Sequence, residues 1–251
     1  MSELDRKAAL VTGTASGIGE AIARRLADDG WDVLAVDLNA PEQTDAPGAF
    51  FQADLTTREG NQGAVDAAME RFGRLDAVIP NAGFQHVSPV ADLPEDRWEA
   101  IVALLLTSPF LLAKYAWPAL VESGAGRFVA IASVHGLVAS PYKAAYVAAK
   151  HGIVGLTKVV ALETAQTGVT CNAICPGWVL TSLVDRQIRD RAATQGTTYD
   201  AAKLELLAEK QPSREFTTTA EIAGLAMFMC SDSAAQMRGQ AVALDGGWTA
   251  Q

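Results

Sequence analysis

Short apolar runs alternate with amphipathic helical stretches along almost the whole chain, and few folds accept that order of elements. The runs are KAALVTG (7–13), DVLAVD (32–37), AFFQAD (49–54), LDAVIPN (75–81), GRFVAIAS (126–133), VTCNAICP (169–176) and QAVALDGG (240–247). Helical stretches near 17–29, 58–72, 95–122, 143–165 and 219–231 separate them. Several runs are apolar on consecutive residues, which suits strands covered on both faces. The pattern predicts an α/β chain with a parallel sheet and helices on both sides. At 251 residues there is room for one large domain, 1–251, and nothing marks a linker to a second. The polar stretch at about 180–212 breaks the rhythm between the sixth run and the last helix. Ligands of open parallel sheets bind beyond the carboxyl ends of strands, so a helical insertion leaving such an end is expected to act as a lid.

The first run leads into Thr12-Gly13-Thr14-Ala15-Ser16-Gly17-Ile18-Gly19 and then a helix. Glycines there let the backbone turn tightly and approach a pyrophosphate, which the amides of a helix N-terminus can bind. Asp37 closes the second run, where a carboxylate can accept from both ribose hydroxyls of an adenosine. A 2′-phosphate would meet like charge, and Leu38 and Asn39 offer no arginine to offset it. NAD is therefore expected over NADP. Asp54 and Leu55 at the third strand's end suit the adenine edge, and Asn81-Ala82-Gly83 at the fourth lets backbone pass close to a ribose.

Ser133 to Lys150 carries the candidate chemistry. Tyr146 and Lys150 stand four residues apart in an Ala-rich helical run, so they share one face, and Ser133 lies thirteen residues upstream of Tyr146. A phenol titrates near ~10, so use as a base near neutrality requires lowering it by roughly three units, about 4 kcal/mol. A neighbouring ammonium acts in that direction. Together Ser133, Tyr146 and Lys150 can move a proton to or from an alcohol or carbonyl oxygen.

Thr-Gly-x3-Gly-x-Gly, Asn-Ala-Gly, Ser followed by Tyr-x3-Lys, and Pro176-Gly177 after the sixth run together resemble the short-chain dehydrogenase/reductase superfamily over essentially the whole chain. The resemblance implies a Rossmann-type doubly wound sheet of seven parallel strands and nicotinamide-linked alcohol/carbonyl interconversion. It implies Tyr146 as acid/base, Lys150 as the residue that holds the nicotinamide ribose and lowers the tyrosine pKa, and Ser133 as the group orienting the reacting oxygen. Pro176, Gly177, Val179 and Thr181 fall where the family receives the nicotinamide, with Thr181 matched to the carboxamide.

A narrower resemblance lies in NAGFQHVSP, SVHGLVASPYKAAYVAAKHGIVGLTK, CPGWVLTSLVDRQI and DGGWTAQ, which look like the bacterial D-3-hydroxybutyrate dehydrogenases. The residues can be read independently: a small substrate bearing a carboxylate needs a cation and several donors to replace its lost water. Gln85, His135, Lys143 and Gln187 would supply them. The resemblance gives these four to the carboxylate and Trp178 and Trp248 to the methyl end of a 3-hydroxy or 3-keto acid. Another family member, such as a thioester reductase or a sugar dehydrogenase, and a dinucleotide-binding scaffold without turnover are the competing expectations. Two departures stand out. Leu105 occupies the place where much of the superfamily carries an Asn linking the catalytic Lys to solvent, with Pro109 expected to bend the same helix. Pro80 replaces the first residue of the commoner Asn-Asn-Ala-Gly.

Composition narrows the partners. Acidic residues exceed basic ones, 29 to 20, giving a formal net charge of −9 without a basic cluster, so neither nucleic acid nor an anionic membrane is expected. The start MSELDRKAALVTG lacks an apolar signal core, and no run is expected to approach the roughly 20 apolar residues needed to span a bilayer, which makes the cytoplasm the default expectation. Cys171, Cys175 and Cys230 read as buried thiols, and no metal site is expected. The Ala- and Leu-rich 100–120 and 144–162 stretches suit the interfaces of a homotetramer, the assembly common in the family.

Overall fold

The computed structural model describes residues 6–40 and 47–250; Met1–Asp5 of the N-terminal stretch read above lie outside them. Seven strands form a single parallel sheet: β1 (Ala8–Thr12), β2 (Asp32–Asp37), β3 (Ala49–Gln52), β4 (Ala77–Ile79), β5 (Arg127–Ile131), β6 (Thr170–Pro176) and β7 (Ala241–Leu244). Their spatial order is β3-β2-β1-β4-β5-β6-β7. The chain winds outward in one direction from β1 and in the other from β4, so a crevice opens beyond their carboxyl ends.

Alternation along each strand builds two cores. Leu10, Leu34, Val36 and Phe128 face helices α2 (Arg58–Phe72), α4 (Ser108–Glu122) and α5 (Ala144–Glu163). Ala9, Val11, Val33 and Val129 face α1 (Gly17–Asp28) and α8 (Thr219–Cys230). Successive side chains of a strand point to opposite faces, which is why consecutive apolar residues were needed. Cys171, Cys175 and Cys230 are buried free thiols, and among the described residues no cluster could hold a metal ion.

Local chemistry sets the helix ends. Thr218 and Glu221 form a reciprocal capping box at the start of α8, and Gly73 ends α2 in the left-handed region at φ 69°. Ser16 precedes α1 without using its side chain as a cap, which leaves the first helical amides free for a ligand.

Two expectations need correction. The helix over 95–122 is not continuous: α3 (Glu95–Val102) passes through a π turn at Ala103–Thr107 before α4. Pro109, in the first turn of α4, has no N–H to return to the preceding turn, and the wider turn absorbs the missing bond. The expectation on hydropathy also fails, because Glu95–Glu122 and Ala144–Glu163 are long and apolar enough to cross a membrane by length and composition. In this fold both lie on the sheet, with Leu112, Ala116, Ile153 and Val160 in the core. Their outer faces are also apolar, exposing Phe110, Val121, Val159 and Leu162.

The 180–212 insertion is a helical hairpin, α6 (Ser182–Gln195) and α7 (Tyr199–Lys210). It has its own small core of Val184, Ile188, Ala192, Ala202 and Leu206, against which Trp178, Tyr199 and Phe216 pack. The Tyr199 hydroxyl donates to Asp185 at 2.7 Å, and Arg191 pairs with Glu209 at 2.5 Å, tying the two helices together.

Candidate active site

The loops leaving the carboxyl ends of β1, β2, β3 and β4 enclose a cavity of about 500 Å³ lined by Gly13, Ser16, Gly17, Ile18, Asp37, Asp54, Leu55, Asn81, Ala82, Gly83 and Thr181. Gly13 and Gly17 adopt φ of 71° and 68°, the left-handed region that a side chain strains. A Cβ on Gly13 would come within 2.7 Å of the Ala82 backbone, so that close crossing requires glycine. Gly19 and Thr14 shape the turn from behind: a Cβ on Gly19 would collide with the Gly13 carbonyl, and Thr14 Oγ1 donates to the Val36 carbonyl at 3.4 Å. Asp37 is fixed at the β2 end by accepting from the Ala15 amide (2.9 Å) and the Asn39 amide (3.0 Å). Thr12 Oγ1 accepts from the amides of Asn81 and Ala82, and Asn81 Nδ2 donates to the Thr12 carbonyl, clamping the β1 loop to the β4 loop.

A second cavity, about 170 Å³, continues from the first and shares Ile18, Asn81, Gly83 and Thr181 with it. Ser133, Tyr146, Lys150, Gln85, His135, Lys143, Trp178 and Trp248 all line it, together with Pro176, Gly177 and Val179. These side chains come from the β4, β5 and β6 loops, the start of α5 and the segment after β7. Gln187 is not among them. It stands one turn beyond Val184 on α6, and among the described residues Val184 is the α6 side chain that lines the cavity, so the expected contact is not made in this arrangement.

Tyr146 and Lys150 occupy one face of α5 as their spacing requires, with the ammonium 5.6 Å from the phenol ring centre. Lys150 Nζ donates to the Ile131 carbonyl at 2.7 Å, which anchors α5 to the end of β5. Burial pushes Lys150 down to about 8, a shift that Cys175 opposes. Burial also holds the Tyr146 phenol above its ordinary value, opposed by a hydrogen bond from Ser133. The phenol is thus raised in the protein where a lowering was expected, because desolvation of the phenolate outweighs the Ser133 hydrogen bond.

Ser133 ends the β5 run in extended backbone, and its Oγ accepts from the His135 amide at 3.2 Å. His135 is 5% exposed. Burial first, then the charge of Lys143, pushes its imidazole down to about 4, so it is neutral at physiological pH. Its Nδ1 lies 3.4 Å from Ser133 Oγ, while its Nε2 is buried without a partner. The Trp178 indole nitrogen is likewise buried and unpartnered. Buried polar atoms are satisfied in most folded proteins, so two orphans at one cavity mark a place for a polar ligand. Lys143 Nζ sits 5.2 Å over the Trp178 ring, its pKa lowered by burial. Trp248 packs between His135 and Trp178, at 5.4 and 5.8 Å between ring centres. Tyr142, just before Lys143, is held at φ 67°, and its carbonyl accepts from the Ser88 amide at 2.9 Å. That bond joins the loop carrying Lys143 to the one carrying Gln85.

Some lining residues had not been singled out from sequence. Phe84, Val134 and Val184 face the smaller cavity, and Thr56 and Leu104 face the larger one. Phe84 could have been inferred from its place beside Gln85. Leu105, noted as a departure, is buried against Ala145 and Ala149 and lines the cavity. Its Cδ2 would lie 2.5 Å from a Cβ on Gly83.

A family model described as enoyl-(acyl carrier protein) reductase matches residues 13–249. The chain is 48% identical to a D-beta-hydroxybutyrate dehydrogenase of Cupriavidus necator, over 99% of this chain and 100% of that one. It is 44% identical to a D-beta-hydroxybutyrate dehydrogenase of Rhizobium meliloti, over 98% and 99%. Among solved structures it is similar to an actinorhodin polyketide ketoreductase with NADPH, at a TM-score of 0.91 and 31% identity over 99% of each chain. It is similar also to the ligand-free aldohexose dehydrogenase of Thermoplasma acidophilum, at 0.90 and 27% over 100% of this chain and 96% of the other.

Proposed function

This chain belongs to the short-chain dehydrogenase/reductase family, and from that premise we propose that it interconverts D-3-hydroxybutyrate and acetoacetate with NAD. One observation carries this reading: a Ser, Tyr and Lys able to move a proton share one small cavity with an ammonium, Lys143, and a neutral imidazole, His135, whose Nε2 has no partner. The relatives from Cupriavidus necator and Rhizobium meliloti, named for that activity, support the same substrate.

The family uses a nicotinamide dinucleotide, and the larger cavity fits one. Its glycine turns bring the β1 and β4 loops together where a Cβ would collide, and the N-cap side chain leaves the first amides of α1 uncapped. Asp37 selects NAD in our reading. Its carboxylate, fixed by two backbone amides, can accept from ribose hydroxyls and repels a 2′-phosphate. When bound, the dinucleotide supplies the hydride acceptor for oxidation and the hydride donor for reduction.

Tyr146 takes the hydroxyl proton in oxidation and returns it in reduction. Ser133 orients the reacting oxygen. Lys150, braced on Ile131, holds the ribose beside the phenol and lends it positive charge. Lys143 and Gln85 receive the carboxylate. A neutral imidazole carries one N–H, and the tautomer protonated on Nε2, with Nδ1 turned to Ser133, adds an uncharged donor from His135. Trp178 and Trp248 close round the methyl end. With the acid group fixed, one face of the carbinol carbon meets the cofactor, which gives stereospecificity. The α6–α7 hairpin serves as a lid that excludes water, and Gln187 joins the carboxylate set only when it closes. We infer a homotetramer as well, because the apolar groove between α4 and α5, lined by Phe110, Trp117, Leu156 and Val159, suits burial against a second copy.

The test is the initial rate of NAD reduction with D- and L-3-hydroxybutyrate beside a neutral secondary alcohol of similar size. Strong preference for the D acid is the expected result. Equal turnover of the neutral alcohol would remove Gln85, His135 and Lys143 from their assigned role.

A further inference from the structure

Gln211 is a buried polar residue that does not line the substrate cavity, yet its side chain touches what holds the cavity's far wall. It is 1% exposed and stands immediately after α7, at the hairpin's return to the sheet. Its Oε1 accepts from the Trp178 backbone amide at 2.9 Å, and its Nε2 donates to the Glu215 carbonyl. The segment after β6 also bonds the returning chain through the Trp178 carbonyl, which accepts from the Thr217 amide at 2.9 Å.

Two glycines lie against this side chain, and each is hemmed in by other neighbours as well, Gly177 by Asp245 and Gly246 by Ser213. A Cβ on Gly177 would lie 2.7 Å from Gln211 Oε1, and a Cβ on Gly246 would lie 2.7 Å from its Cγ. Gln211 thus packs between the segment carrying Trp178 and the loop leading to Trp248, and a side chain at either glycine would push it aside. Trp248 is fixed in turn from Asp245, whose carbonyl accepts from its amide at 3.1 Å and whose carboxylate accepts from Gly247 and Thr249. One amide side chain thus bonds two segments, the β6 exit and the hairpin's return, and packs against the loop after β7 at Gly246.

We propose that Gln211 is a positioning residue that sets the separation of Trp178 and Trp248 and thereby the acyl length the cavity accepts. This deepens the 3-hydroxy acid reading and rests on it. Removing the amide frees the Trp178 backbone N–H in a partly buried place, so the Trp178 segment moves to find another acceptor and the wall loosens.

The test compares wild type with Gln211→Met, which keeps volume and unbranched shape, and Gln211→Glu, which keeps an acceptor for the Trp178 amide. Each is assayed with NAD on D-3-hydroxybutyrate and on the acid one methylene longer, D-3-hydroxypentanoate. For Q211M the KM for hydroxybutyrate should rise about tenfold, with the KM for NAD within about twofold of wild type. Its preference for the shorter acid should fall by a similar factor, and Q211E should recover part of that preference. Unchanged selectivity in Q211M, or equal rises in both KM values, would make Gln211 merely structural and overturn the proposal. Acrylamide quenching of tryptophan emission serves as a readout that needs no substrate. Quenching should increase in Q211M, and the increase should vanish when Trp178→Phe and Trp248→Phe are both added. Unchanged quenching overturns the proposal even where hydroxybutyrate is turned over. Absence of turnover by wild type on both acids refutes the substrate reading instead, and quenching then decides whether Gln211 holds the tryptophans.

Discussion

Replacing Lys150 with Met should make the cofactor-free protein more stable while removing its activity. Lys150 is 5% exposed, and burial lowers its pKa from 10.5 to about 8. That difference corresponds to about 3 kcal/mol of destabilisation wherever the ammonium is charged in both folded and unfolded chains. The ammonium also donates to the Ile131 carbonyl, and losing that bond gives back about 1 kcal/mol. Met fills similar space without a charge, so Lys150→Met should gain about 2 kcal/mol at pH 7. The pH dependence follows from the depressed folded pKa. Below about 8 both states carry the proton and the whole penalty is present. Between about 8 and 10.5 the unfolded chain binds a proton that the folded chain lacks, so wild-type stability rises with pH. Urea unfolding of both proteins without cofactor, at pH 7 and again near pH 10.5, measures the gap at each end. It should be widest at pH 7 and shrink or reverse at the upper end. A variant less stable than wild type at pH 7, or a gap independent of pH, would refute the reasoning.

Tyr146→Phe should keep the fold and lose roughly 10²–10⁴-fold in kcat, read from initial rates beside an unfolding curve; wild-type turnover would remove Tyr146 from its role. Lys143→Ala should raise KM for the hydroxy acid about 10- to 100-fold, the loss of a charge-assisted bond, with KM for NAD nearly unchanged. Equal loss of both affinities would mark Lys143 as structural. Asp37→Ser should lower the ratio of kcat/KM with NAD to that with NADP by about tenfold or more, and an unchanged ratio would show that Asp37 does not face the ribose.

The cofactor side was legible in the sequence because its chemistry is local. Gly13, Gly17 and Asp37 act through turns and strand ends that the βα alternation itself locates, and Tyr146 and Lys150 share a face by helical spacing alone. What escaped depends on contacts distant along the chain. Gln211 gives no periodic signal, and its partners Trp178 and Gly246 meet it only when β6, the hairpin and β7 assemble. The π turn at Ala103–Thr107 was visible only as Pro109, because proline marks the missing bond without saying how the helix absorbs it. Gln187 was assigned by resemblance, and its distance from the cavity depends on where the hairpin sits, which no local pattern states.

The direction of the tyrosine shift carries the most consequence for mechanism. Spacing argued that an adjacent ammonium would lower the phenol; the folded site raises it and weakens the ammonium as well. The same burial strips His135 of its charge and lowers Lys143. Desolvation acts on all four groups because they face one small cavity under Trp178 and Trp248, and it opposes the charged form of each. Lys150, at about 8, still carries its proton at pH 7 beside a neutral imidazole and a neutral phenol, so the charge of a ligand shifts which forms exist. A substrate carboxylate beside Lys143 favours the ammonium and is favoured by it. A neutral alcohol offers no such exchange, which is why the comparison of an acid with a neutral alcohol separates this site from one that selects its substrate by shape alone.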